Sequence, residues 1–229
     1  LLAGRFTGSG NTSLAPITRS ITIRGAGAKA SVIDGDGDAS LLRIESAAVV
    51  LEDLALVNGR ATAGGAIRVS GTDASLVATR IRIADCAATV SGGAIQAFGG
   101  DVTIMDSVLE GNRAPRGAAL SLGAAATGDV VGTSFIGHDA SDATSFGSIL
   151  EATSGATLII RDSSVLESST SSIFGAIGLA DAGVLTLVDV EATGLHSPNA
   201  DVLIARGTGA IARFEGGLVD PDVLGLVRV

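Results

Sequence analysis

The chain has 229 residues, 46% of them hydrophobic, which gives it enough apolar surface for a packed core and excludes a disordered segment. Its 15 basic residues against 24 acidic ones leave a formal charge of −9, so nucleic acid and anionic membrane surfaces would repel it. There is no Trp or Tyr and a single cysteine, which excludes an intrachain disulfide framework and leaves Val, Ile, Leu and Ala to fill the interior.

In chain order, Leu1-Leu2-Ala3-Gly4 is strand-like and lacks an initiator Met. No signal peptide is visible, and no apolar run nears the roughly 18 residues a membrane helix needs. The sequence therefore reads as a section of a longer rod, with any leader or anchor outside it. Residues 1–41 are expected to form early coils, with strands at Ile21-Thr22-Ile23 and Val32-Ile33. The segment Asp34-Gly35-Asp36-Gly37-Asp38 follows as a turn. Residues 42–219 are regular repeats, and 220–229 a terminal strand.

The repeats are marked by Gly64-Gly65-Ala66-Ile67, which recurs as Gly92-Gly93-Ala94-Ile95 and decays to Gly117-Ala118-Ala119-Leu120. Degenerate copies are Phe146-Gly147-Ser148-Ile149-Leu150 and Phe174-Gly175-Ala176-Ile177. One apolar column runs Leu42, Ile67, Ile95, Leu120, Leu150, Ile177, Ile204. A second runs Leu51, Ala78, Ile104, Val131, Ile160, Leu187, Phe214. Both step by about 27 residues at a nearly fixed offset, the signature of one structural unit repeated. Within each unit, short period-two runs such as Val102-Thr103-Ile104 and Leu185-Thr186-Leu187 are broken by Gly, Ser, Asp and Asn, which excludes helices. The expected fold is all-β: a single-stranded right-handed parallel β-helix of about 7–8 coils, one domain over 1–229, stacked at roughly 4.8 Å.

The residues also carry a family likeness. The Gly-Gly-Ala-Ile copies, with preceding turns Val108-Leu109-Glu110-Gly111-Asn112 and Phe135-Ile136-Gly137-His138-Asp139, resemble the polymorphic outer membrane protein repeat. The opening Ile21-Thr22-Ile23-Arg24-Gly25 with Val32-Ile33-Asp34-Gly35 looks like the early coils of pectin-lyase-like proteins. The likeness runs from about Leu1 to Val219 and is crispest over residues 20–123. It implies a surface-exposed or secreted protein used in adhesion. The translocating C-terminal barrel of autotransporting members and clean Phe-x-x-Asn copies are both missing from this sequence.

Candidate chemistry is sparse. Asp34, Asp36 and Asp38, with Glu45 further on, have the 1, 3, 5, 12 spacing of a calcium loop, and these three aspartates are the candidate Ca2+ ligands. Ala39 stands where such a loop wants Gly, and strands flank the segment, so a solvated turn between coils is the competing reading. Two residues after the second column lie Asp53, Arg80, Asp106, Thr133, Asp162, Asp189 and Gly216. Carboxylates on one corner of a rod suit acid–base chemistry on polysaccharides, and Asp162 and Asp189, on successive coils, are the candidate catalytic residues. Against that, Asp at strand ends also caps turns. Cys86 reads as a small buried hydrophobe and His138-Asp139 as an ordinary turn.

Three functions remain open. The leading expectation is a non-catalytic extracellular or cell-surface scaffold, adhesin-like, that contacts protein or surface partners through turns 84–91, 111–117 and 137–146. The rivals are a polysaccharide lyase or hydrolase of the pectin-lyase-like type, and a structural subunit assembled end to end or laterally.

Overall fold

In the computed structural model, described at residues 3–7, 15–140, 147–170, 176–194, 201–219 and 225–228, every regular element is a β-strand. All strand pairings among these residues are parallel, and each strand lies beside the one a full coil away in sequence. The chain is a parallel β-solenoid of about 7 turns spaced ~27 residues apart.

One coil shows the plan. Ile67–Ser70 belongs to a sheet of eight strands, here sheet 3; Ser75–Thr79 to sheet 1; and Arg82–Ala84 to sheet 2. The short strand Ala87–Ser91 then crosses a fourth side and leads back to sheet 3 at Ile95–Phe98. Sheets 1 and 2 become continuous at Val184–Thr193, a single ten-residue strand that pairs with both. The sheets take shape because alternation sends every second side chain inward. Leu76 and Ala78 are fully buried, while Val77 between them and Thr79 after them face out.

Stacking places like on like. Leu51, Ala78 and Ile104 share one register line, continued by Val130, Ile160, Leu187 and Phe214. Six of these seven are buried and Phe214 is half-buried. Each fully buried Leu or Ile contributes on the order of 1.5–3 kcal/mol. Phe135 is the largest fully buried side chain.

Three sequence expectations shift by one residue. The second column passes through Val130, not Val131, because Val131 pairs with Met105 on the outer face. The first column leaves Leu150 for Gly178 and Leu203, not Ile177 and Ile204. No larger residue fits at Gly178: a Cβ there would lie 2.3 Å from a Leu185 methyl and 2.6 Å from one of Leu203, which occupy the space themselves. The third shift follows from the first, since Gly132 replaces Thr133 in the corner column. Phe146, Phe174, Gly175, His196, residues 141–146 of the third turn and 220–224 of the terminal strand lie outside the described residues.

The Gly-Gly repeat follows from backbone demands. Gly64 and Gly92 both have φ +66°, left-handed territory where side chains are strained. The second glycine is needed for space: a Cβ on Gly65 or Gly93 would sit 2.2 Å from the carbonyl oxygen of Gly93 or Ala118 in the next coil.

Candidate functional site: the acidic corner, the buried ladder and the turn groove

The acidic column lies at the bend between sheets 1 and 2. Asp53, Arg80, Asp106, Gly132, Asp162, Asp189 and Gly216 all have φ between 48° and 68°. A left-handed bend at the same point of every coil selects Gly, and Asp among the tolerated side chains. Asp and Gly also fit each other across coils. A Cβ on Gly132 would lie 2.8 Å from Asp106 Oδ1, and one on Gly216 would lie 2.2 Å from Asp189 Oδ1. Asp53 accepts two bonds from Arg80, Nε at 2.7 Å and Nη2 at 3.0 Å. Those bonds hold its carboxyl below the usual range, against the smaller opposing effect of burial. Asp162 and Asp189 sit exposed on successive coils, and neither carboxylate makes an ion pair among the described residues.

Asp34 is 5% exposed and ends a sheet 2 strand. Burial acts to raise its pKa, but bonds from the Asp36 amide at 3.0 Å, Asn58 Nδ2 at 2.8 Å and Arg5 Nε at 2.6 Å outweigh that and hold it low. Asp36, with φ 52°, turns away to line a concavity of about 220 Å³ with Gly37, Asn58, Arg60 and Asp85. Among the described residues no three His, Cys, Asp or Glu side chains, Asp34, Asp36 and Asp38 included, are grouped so that they could hold a metal ion.

The next corner, after sheet 2, holds a polar ladder that sequence reasoning did not find. The Cys86 amide donates to Asn112 Oδ1 at 3.0 Å, the Asn112 amide to His138 Nδ1 at 3.2 Å, and the His138 amide to Ser168 Oγ at 3.1 Å. One coil back, the Gly59 amide donates to Cys86 Sγ at 3.3 Å. Each side chain thus satisfies a backbone N–H of the preceding coil, which a buried corner would otherwise leave unpaired. Burial pushes the Cys86 thiol up to about 12, so it is inert, as a small core residue should be. His138, expected in an ordinary turn, is a fully buried rung. Desolvation lowers its pKa to about 4, against smaller opposing effects from the backbone at Asn112 and Leu109. Its Nε2 makes no hydrogen bond of normal geometry. The available signal was spacing: the rungs are 26, 26 and 30 residues apart, the repeat period itself.

The turn side carries the larger groove. Arg60, Ala87 and Arg113 stack on successive coils, and the groove between them, about 480 Å³, is lined also by Ala61, Ala88, Thr89 and Pro115. Arg113 pairs with Asp139 at 3.6 Å, whereas Arg60 makes no ion pair among the described residues. Turn 111–117 is pinned by Arg116, whose Nε donates to Glu151 at 2.6 Å; Glu151, 1% exposed, also accepts from the Ser121 hydroxyl at 2.7 Å. Neither Asp162 nor Asp189 lines either concavity.

No family, curated protein or solved structure matches the chain. Its parallel β-solenoid fold rests on its own geometry.

Proposed function

We propose that the chain is a non-catalytic, extracellular or cell-surface scaffold that contacts protein or polysaccharide partners through its turn side, in the manner implied by the likeness to polymorphic outer membrane protein repeats. The observation that carries this reading is the groove along Ala87, Ala88 and Thr89, bordered by Arg60 and Arg113. Its floor is a strand fixed by parallel pairing, so little ordering entropy is lost on binding. In a chain of net charge −9, the uncommitted Arg60 guanidinium marks where a carboxylate or sulfate of a partner is welcome.

A polysaccharide lyase or hydrolase is the second reading, favoured by exposed Asp162 and Asp189 on adjacent coils. Acid–base chemistry on a sugar chain needs carboxylates facing each other across a cleft. These two stand on an outer bend whose geometry already accounts for Asp. Immobilised acidic polysaccharides and extracellular matrix proteins, screened with and without calcium, test both readings together. Binding that falls about tenfold in Arg60→Glu supports the scaffold. Turnover of any polysaccharide that is abolished by Asp162→Ala or Asp189→Ala overturns it.

A further inference from the structure

We propose that the outer face of sheet 3 carries a docking patch, centred on Arg68 and Phe98, for an extended acidic peptide segment of a partner protein. Of the large apolar side chains exposed among the described residues, Phe6, Ile21, Ile211 and Leu218 stand on strands at the ends of their sheets, where stacking stops. Between the ends, Val90 at 51% and Phe98 at 57% remain, and both belong to the coil over residues 87–98. The arginines sort the same way. Between the ends, Arg60 and Arg68 alone make no ion pair among the described residues, and both lie on the coil before that one. Uncovered apolar surface and unanswered positive charge thus coincide on two adjacent coils, in a chain of net charge −9. Arg60 borders the turn-side groove; Arg68 and Phe98 make a separate patch that does not depend on it.

Register fixes the geometry of the patch. Arg68 lies beside Gln96 and Ser70 beside Phe98, so Arg68 and Phe98 occupy opposite corners of an outward quadrilateral. Strand spacing and rise place those corners roughly 8 Å apart. In its own row Phe98 is flanked by Ser70 and Gly123, too small to cover a ring, and even a Cβ on Gly123 would meet only its edge, at 3.7 and 3.9 Å. On the other side of Arg68 stands Arg43, whose charge Glu45 balances at 2.8 Å. A carboxylate arriving at Arg68 would relieve the contact between two like charges as well as pair with one of them.

The hydrogen-bonding groups around the ring choose a peptide over a glycan. The Ser70 hydroxyl donates to the Ile44 carbonyl at 3.3 Å, and the Thr153 hydroxyl to the Leu122 carbonyl at 3.2 Å. The Gln96 amide donates to Ser91 Oγ at 3.2 Å, and its Oε1 is buried. A sugar needs several convergent polar groups to read its hydroxyls, and these are already engaged. What the patch offers is one aromatic face and one guanidinium, the two chemistries most enriched at protein interfaces. An acidic residue with a large apolar residue two positions away answers both. In an extended segment those side chains share a face at a spacing of about 6.7 Å, and the reach of the arginine covers the remainder. Neighbours on a helix face, about 5–6 Å apart, fall shorter.

The experiment is selection of a displayed library of random peptides on the immobilised chain. Peptides of about seven residues are used, too short to hold a helix. Enriched sequences should carry Asp or Glu with a large apolar residue two positions away. One such peptide, dye-labelled, is then titrated by fluorescence anisotropy. Phe98→Ala and Arg68→Ala should each weaken its binding about tenfold. Selection repeated on Arg68→Glu should enrich Lys or Arg in place of the acid, which a merely unfolded variant would not do. Far-UV circular dichroism checks that each variant keeps its strands. A selection that enriches no acidic–apolar pair overturns the proposal, as does a peptide whose affinity ignores both alanine variants. Binding to arrayed glycans that Phe98→Ala abolishes overturns it too, by assigning the ring to a sugar. Arg60→Glu should leave the peptide affinity unchanged, so failure at the turn-side groove and failure at this patch are read separately.

Discussion

A left-handed backbone angle, repeated once per coil, explains more of this sequence than any catalytic pattern does. Asp162 and Asp189, with φ 49°, occupy positions that glycine fills at Gly132 and Gly216. Asp162→Gly and Asp189→Gly should therefore keep the fold and match or exceed wild-type stability, by up to about 1 kcal/mol. Thermal melting measures it, and a large loss would mean that those carboxylates hold the corner. Gly93 is the opposite case. Gly93→Ala forces a Cβ against the Ala118 carbonyl oxygen and should cost about 3 kcal/mol or more, read as a fall in denaturation midpoint. His138 sets the acid limit. Its folded pKa of about 4 lies below the ordinary 6.5, so the unfolded chain binds the extra proton between those values. Stability should fall as pH drops from 6.5 to 4, by about 3 kcal/mol, and the loss should be complete below 4. His138→Asn, which can accept from the Asn112 amide as Asn112 does from Cys86, should remove that limb of the pH–stability curve. Asp34, whose pKa is held low, works in the next window: its contribution is present above the ordinary carboxylate pKa and disappears as pH falls through the lowered one.

Among the elements, the period of the coil was plain in the sequence and the register was legible to within one residue. Leu51, Ala78, Ile104, Ile160, Leu187 and Phe214 all fall on one line, because alternation in a half-buried strand leaves the inward residue apolar. Val131 was indistinguishable from Val130 because adjacent valines carry no alternation. Gly178 was hidden for another reason: its place in the core is filled by leucines of neighbouring strands, which single-position hydrophobicity does not register. The ladder of Cys86, Asn112, His138 and Ser168 escaped because four chemically different side chains do one job, accepting a backbone amide from the coil before. Asn112 is the rung with most to lose. It accepts from Cys86 and donates to the Ile83 carbonyl at 3.0 Å, so Asn112→Ala should cost about 2–3 kcal/mol by leaving buried groups unpaired. Guanidinium denaturation is the direct measurement.

Across the whole molecule, stability is a chain of nearest-neighbour terms. Ion pairs follow the same rule: Arg24–Glu52, Arg80–Asp53, Arg82–Glu110 and Arg161–Asp129 each tie one coil to the next. The middle coils, covered on both sides, should show the slowest amide exchange, over Ser75–Thr79, Asp101–Met105 and Thr127–Val131. Ile21–Arg24 and Ile211–Val219 should exchange first, since each pairs on one side alone among the described residues. Hydrogen–deuterium exchange resolved by segment measures this gradient, and uniform protection would contradict the nearest-neighbour picture.

The return of the chain to its starting point after about 27 residues has a kinetic side. Every long pairing in the rod closes a loop of nearly the same length, so the entropic toll of the first complete coil is the largest one met during folding. Once two coils are stacked, each further coil adds to an existing edge, and the mean separation of contacts relative to chain length shrinks as the rod grows. Folding should then start within residues 42–140, where the glycine pairs are most regular, and spread outward. A β-protein of this kind would gain length without becoming a proportionately slower folder.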